Sequence, residues 1–354
     1  MLRRFATATL RKLALTLAIG AAAGAAFAAL GLPVPWLTGP AVSVACAAVA
    51  GVNLSVPPWL RDAAFVFLGA TMGTAVTPDT LAQAARWPVS LAGLAVCVFF
   101  TMSAISLYLE RVHRYDRATA RLSAVPGALP YVLALATQSS GDQRRIAVIQ
   151  MVRLAALLIF LPSVLTLLGV KSPAASAAAS SPGAVRVHEL AIVMAGGTVG
   201  AWIFAWFRAP AAALFGSMVS SALLYGSGAI SSSLPLWLTQ PGLVVIGSVV
   251  GSNFAGVNRR LLLDTLLASA GSVLIGAAVA LLCALPVAWL VGLPPAQLWL
   301  AYAPGGVETM AIMALALGFD PAFVGGHHLA RFFGLGVFVP VWVRGHLKRG
   351  GVGS

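Results

Sequence analysis

One stretch of this chain occurs twice. Residues 126–162 read PGALPYVLALATQSSGDQRRIAVIQMVRLAALLIFLP, and residues 304–340 read PGGVETMAIMALALGFDPAFVGGHHLARFFGLGVFVP. Pro126/Pro304, Asp142/Asp320, Arg153/Arg331 and Pro162/Pro340 each differ by 178 positions, and Gly69/Gly247, Gly73/Gly251 and Gly127/Gly305 keep that offset. One offset held without a gap from Gly69 to Pro162 marks a tandem duplication. Each copy carries a Pro-Gly break followed by an arginine inside an apolar segment. Internal symmetry with interrupted apolar segments is the main sequence pointer to a secondary transporter.

Composition sets the class. The chain is 60% hydrophobic and 9% charged, whereas ordinary soluble domains carry about 25% charge. Apolar runs of about 18 residues or more recur, each long enough to span a bilayer. The expected fold is an all-α polytopic membrane protein. The net charge of +13 does not imply nucleic acid: the basic residues sit in short loops, where positive-inside bias places them, and no basic stripe or DNA-binding motif is present. Cys46, Cys97 and Cys283 lie singly in apolar runs, so neither a metal site nor a disulfide framework is indicated.

Two membrane repeats of six apolar segments each are expected, over 1–170 and 187–345. A small-residue linker (171–186) joins them and a basic tail (346–354) follows. The run Leu13–Leu30 resembles a signal peptide in length, but the offset lands it on the apolar stretch Leu190–Phe207, so it reads as the first span. GATMG (69–73) and GSVVG (247–251) are small-xxx-small patterns that let helices approach closely. ERVHRYDRATAR (110–121) reads as a cytoplasmic loop. The fifth and eleventh segments, about 122–138 and 298–317, are the ones broken by Pro126-Gly127 and by Pro304-Gly305-Gly306.

Orientation follows from the basic residues. If the two broken segments enter and return on one side, each repeat crosses five times and the second copy is inverted. With the N-terminus cytoplasmic, that arrangement leaves only Arg86, Lys171 and Arg186 outside, with Arg153 and Arg331 inside the membrane. If all segments cross, Arg144, Arg145, Arg208, Arg259 and Arg260 move outside and only Lys171 and Arg186 move in. The positive-inside rule favours inversion, with both termini cytoplasmic.

The candidate site centres on the breaks. Arg153 and Arg331 lie about 16 Å into their helices, where a charge costs at least ~2.5–3.5 kcal/mol. Such residues line a polar cavity or are paired; here they either contact a solute or ion, or tie down carbonyls freed at the break. Backbone at Pro126, Gly127, Pro304, Gly305 and Gly306 cannot be satisfied by lipid and must face protein or water. The helix start beyond each break presents a positive dipole end, and arginine beside such ends suits a carboxylate or another small anion. Glu308, whose counterpart is Pro130, can pair with Arg331 or carry a proton or cation. His327 and His328 precede Arg331 by four and three residues, lean toward its face and can carry protons. No third ligand makes them a metal site. Asp142 and Asp320 are placed to cap helices, the second with proline at the first helical position. No cofactor is expected.

Together, APGGVETM (303–310), Asp320-Pro321, Arg331 within HHLARFF and the first-copy SAVPGALP with Arg153 resemble the AbrB-type family of duplicated bacterial membrane proteins, over nearly the whole chain. Members carry labels of ammonia monooxygenase, of regulator of gene expression and of AbrB family transporter. The resemblance implies a multi-pass inner-membrane protein. The first copy departs from the motif, with Ala128 where the second has Gly306 and no glutamate. The monooxygenase label finds no copper or iron ligand set in these residues, so no enzyme is expected. The reading is a transporter of a small solute working by alternating access around the two breaks. Its partners are that solute, the lipid bilayer and possible further copies of itself, with no nucleic acid. A membrane-embedded sensor or regulator of gene expression is the alternative.

Overall fold

The computed structural model describes residues 2–74, 87–127, 129–170, 186–228, 230 and 239–343. The linker residues 171–185 and the tail lie outside them. The described residues form fourteen helices and no strand. In the first half these are α1 (Leu2–Ala29), α2 (Pro35–Val49), α3 (Pro58–Gly73), α4 (Trp87–Arg111), α5 (Arg117–Ala124), α6 (Leu129–Thr137) and α7 (Gln143–Leu167). In the second half they are α8 (Val187–Trp206), α9 (Ala212–Gly226), α10 (Thr239–Ser252), α11 (Arg259–Val291), α12 (Pro295–Tyr302), α13 (Val307–Leu317) and α14 (Pro321–Trp342). Most helix bounds track the sequence offset within three residues, the starts of α1/α8 and α4/α11 departing further; α5 and α12 begin at 117 and 295, which are 178 apart.

Among the described residues each half therefore holds seven helices, where the sequence suggests six apolar segments. The added one arises at the break. The backbone leaves the helix at Val125–Gly127 and again at Ala303–Gly306, so each broken segment becomes two half-helices, α5/α6 and α12/α13. Part of the 110–121 loop is helical. Asp116 accepts a hydrogen bond from Thr119 N at 2.9 Å and starts α5 at Arg117. The four arginines made this stretch read as loop, but Arg111 ends α4 and Arg117 and Arg121 lie on α5, with only Arg114 of the four between the helices.

Among the described residues six helices are long and apolar enough to cross a membrane: residues 10–29 of α1, and α4, α7, α8, α11 and α14. Their free faces are apolar; on α11, Leu263, Leu267, Leu274, Leu282 and Trp289 are all exposed. A water-facing helix would hide such a surface, whereas lipid accepts it. The chain is a multi-pass membrane protein by the length and composition of these helices. Helices α2, α3, α9 and α10 have 14 to 16 residues, or about 21–24 Å, short of the ~30 Å hydrocarbon core. Prolines at the starts of α2 and α3 set where those helices begin.

The chain divides into two compact units, and each draws on both sequence halves. The first comprises Met1–Ala85, Leu158–Gly256 and Glu308–Gly325. In it α3 packs on α9, α10 packs on α2, α1 lies against α2 and α10, and α8 against α9 and α3. The small-xxx-small patterns make these pairs. A methyl on Gly69 would run into the Leu214 carbonyl, and one on Gly247 into the Leu37 carbonyl. Ser221 Oγ, freed to approach by this contact, donates to Ala70 O at 2.7 Å.

The second unit comprises Arg86–Leu157, Val257–Val307 and Gly326–Ser354. Helix α4 packs on α11, α5 and α12, and α11 on α12. Its buried core includes Met102, Ile105, Leu122, Val125, Ile149 and Leu335. Both Pro-Gly breaks and both intramembrane arginines belong to it.

Candidate solute site at the two broken helices

A helix that stops inside a membrane leaves its last carbonyls without intrahelical partners, and lipid offers none. The first break solves this with two side chains of α7. Gln150 Nε2 donates to Leu122 O at 3.1 Å, and Arg153 donates from Nη1 to Ser123 O at 2.9 Å and from Nη2 to Val125 O at 2.6 Å. The second break repeats the device with α14. His328 Nε2 meets Leu300 O at 3.0 Å, and Arg331 donates from Nη1 to Ala303 O at 2.7 Å and from Nη2 to Gly305 O at 2.6 Å. Gln150/His328, Leu122/Leu300 and Val125/Ala303 all stand at the 178 offset. Each arginine is thus a cation at a half-helix C-terminus, where the dipole favours it.

The His328 ring is fixed in one tautomer by its neighbours. Nε2 faces a carbonyl and must donate, so Nδ1 accepts from Arg331 Nη2 at 2.7 Å. A second proton on Nδ1 would point at another donor. His328 therefore acts as a neutral bridge in this arrangement. His327 turns the other way. Its Nε2 lies 2.7 Å from Ser90 Oγ, whose hydroxyl donates to Trp87 O at 3.1 Å, and its ring stands near those of Trp87 and Tyr302. Tyr302 donates to Ser90 O at 2.5 Å.

The two breaks meet. Gly127 sits at φ +73°, in the left-handed region, and a Cβ there would lie 2.8 Å from Gly305 O and 2.9 Å from Arg331 Nη2. Glycine is required both by the backbone and by this approach. Pro304 is likewise admitted by Gly276 of α11, where a Cβ would lie 2.8 Å from the proline ring. Pro126, Pro304 and Gly305 are buried, while Gly127 and Gly306 are half-buried.

The arginines differ in what else they see. Arg153 is fully buried, and no partner among the described residues meets its Nε, nor Gln150 Oε1 or Ser123 Oγ beside it. Buried polar groups of this kind are met by water or a bound group. Arg331 lines a cavity of about 280 Å³ between α4 and α14. Arg153 feels the positive charge of Arg331, and among the described residues neither is ion-paired to a carboxylate.

The remaining candidates lie elsewhere. Glu308 is in the first turn of α13, half-buried, in the first compact unit; it feels the charge of Arg61 there and is absent from the ion pairs of the described residues. Asp142 Oδ1 accepts from Arg144 N and Arg145 N at 3.0 and 3.2 Å, and Asp320 Oδ1 from Ala322 N and Phe323 N at 2.8 and 3.1 Å, so both cap helices. Among the described residues no cluster of three His, Cys, Asp or Glu side chains could hold a metal. Gln150, Ser90 and Tyr302 were not expected from the sequence. The offset that pairs Gln150 with His328 is the signal that could have found the first.

The family model described as "Transition state regulatory protein AbrB" matches residues 36–346. The chain belongs to the AbrB family. Two curated relatives match most of its length. An "Uncharacterized protein YhjN" of Bacillus subtilis (strain 168) is 24% identical over 341 residues, 87% of this chain and 86% of that protein. A protein of Escherichia coli (strain K12) named "Putative regulator AbrB" is 26% identical over 334 residues, 91% of each chain. The AbrB match includes both breaks and both arginines.

Proposed function

We propose that this AbrB family member is a secondary transporter of a small solute, with a carboxylate or another small anion as the class its site suits. One observation carries the reading: two buried guanidiniums, close enough for one to feel the other, stand where two interrupted helices meet, with no carboxylate paired to them among the described residues. Charge without a counter-ion inside a membrane is expensive and marks solute pathways. The positive starts of α6 and α13 follow directly after the breaks.

Alternating access would use the repeats. The matching helix bounds, and the exchange by which α3 packs on α9 while α10 packs on α2, support two copies related by a pseudo-two-fold axis. The distribution of basic residues supports inversion, with both termini on the cytoplasmic side of the bacterial inner membrane. Glu308, with His327, is the candidate coupling group. The protein is not an enzyme in this reading, and self-association is compatible with it. The name of the Escherichia coli relative and the family description favour a second reading, a membrane-embedded sensor that binds the same solute and signals to a regulator.

The test is a thermal-stability screen of purified protein against small carboxylates, amino acids, inorganic anions and ammonium at two pH values. It is followed by uptake of any hit into proteoliposomes. A ligand at 100 times its Kd raises stability by about 2.7 kcal/mol. A hit that is transported by wild type and not by folded Arg331→Gln is the expected result. Wild-type uptake by Arg331→Gln would remove that arginine from the mechanism; binding without uptake would favour the sensor.

A further inference from the structure

The cavity at Arg331 is a groove, open along the side of the second unit, between α4 and α14. Small side chains make it: Ala95 on α4, and Ala330 and Gly334 on α14, are exposed and leave a trough of about 280 Å³. A Cβ on Gly334 would meet nothing within 4 Å. Phe99 and Phe338 stand edge to face at 6.5 Å and close one end. From Leu91 to Phe99 the groove runs along α4 for about 12 Å, the scale of a medium-chain alkyl tail, and its volume is near the lower end of the ~300–1,000 Å³ of ligand pockets.

Exposed apolar walls on two membrane-crossing helices face hydrocarbon, so an occupant arrives from lipid. Among the described residues Arg331 is the only charged one in the lining. Three of its five N–H groups are engaged by Ala303 O, Gly305 O and His328, which leaves donors for an anionic head. Charge and shape together ask for an amphiphile with one negative end. A carboxylic acid can leave the hydrocarbon as the neutral acid and ionise beside the guanidinium. An alkyl phosphate would have to carry its charge through the lipid, which is costly. An alkyl ammonium would be repelled.

We propose that this groove binds a medium-chain monocarboxylic acid, with its tail between α4 and α14 and its carboxylate on Arg331, and that it admits the acid sideways from the bilayer. The inference rests on the anion reading of Arg331, and it names the substrate class of that site.

The experiment measures binding alone. Wild-type protein in lipid nanodiscs is photolabelled with a diazirine derivative of decanoic acid, and adducts are mapped by mass spectrometry. Decanoic acid, decanol, decyl phosphate and decyltrimethylammonium serve as competitors. Adducts within 91–99 and 330–338, displaced by decanoic acid about tenfold more strongly than by the other three, are expected. Gly334→Phe fills the trough without touching the carbonyl bonds of Arg331, and Ala95→Phe fills it from the other wall. Either should cut labelling about tenfold while the melting temperature holds. Equal competition by decanol, labelling unaffected by both variants, or a dimer of this chain that the variants dissociate would overturn the proposal. Absence of labelling sinks the groove and leaves small-anion transport standing. Labelling without uptake of any acid supports the groove and sinks transport.

Discussion

The two breaks use one device and put it to different ends. At both, a half-helix stops short and an arginine from the next long helix takes its carbonyls. At the first, the arginine is fully buried and its neighbour at i−3 is glutamine. At the second, the arginine borders a cavity, the neighbour is histidine, and a glutamate starts the following half-helix where the first copy has Pro130. The common part is what any interrupted membrane helix needs. The part that differs is what a solute could meet. The carbonyl tie thus occurs at both breaks, and the proposed solute chemistry rests on residues found only at the second.

The largest expected contrast lies between the arginines. Each carbonyl orphaned in a dry site costs about 1–3 kcal/mol. Arg153→Gln should therefore collapse the yield of folded protein, because Arg153 is fully buried and Ser123 O and Val125 O both lose their donor. Arg331→Gln should lower the melting temperature by a smaller amount, since Arg331 borders a cavity into which the shorter side chain can relax. Size-exclusion profiles and melting curves of the two variants, side by side, decide this; equal losses would erase the distinction. Next comes Gly127→Ala. Its left-handed backbone costs about 1–2 kcal/mol with a side chain, and the methyl pushes Gly305 away from Arg331. Ligand response should fall steeply, while Gly334→Ala, in open space, should be silent in the same stability screen.

A smaller effect tests the added chemistry. Glu308→Gln should leave folding intact and flatten the pH dependence of uptake in proteoliposomes. Persistence of the wild-type pH profile would remove Glu308 from coupling. The smallest effect is expected from His328→Gln, which copies the first break. If the ring is only a neutral bridge, uptake should stay within about twofold between about pH 5 and 8. A lost pH response would make His328 a proton carrier and deepen the asymmetry.

Proline and glycine made the breaks legible, because neither residue leaves a helix other options. Arg153 and Arg331 were legible as intramembrane charges, and the choice between solute contact and carbonyl tie was left to geometry. GATMG and GSVVG announced close helix contact through spacing alone. Gln150 was not legible, since one amide in an apolar helix has many uses and only the carbonyl of Leu122 gives it a purpose. Ser90 and Tyr302 form their bond across 212 residues, which no local pattern encodes. Helices α2, α3, α9 and α10 were legible as apolar segments, but their 14 to 16 residue lengths were not, because hydropathy registers apolar composition better than where a short helix ends. Helix α5 read as loop because its arginines outweighed a buried face of Ala118, Leu122 and Ala124.

The carbonyl bonds also carry a timetable. Arg153 holds Val125 O from 28 residues downstream, and Arg331 holds Ala303 O from the same distance. A ribosome adding about 5–20 residues per second delivers each arginine roughly one to six seconds after the carbonyl it must satisfy. During that interval a half-made break enters the insertion machinery with only water to hold its helix end. The nascent chain must therefore stay beside a wet passage until the next long helix emerges. Pausing translation between the break and its arginine should expose the unfinished segment to membrane proteases.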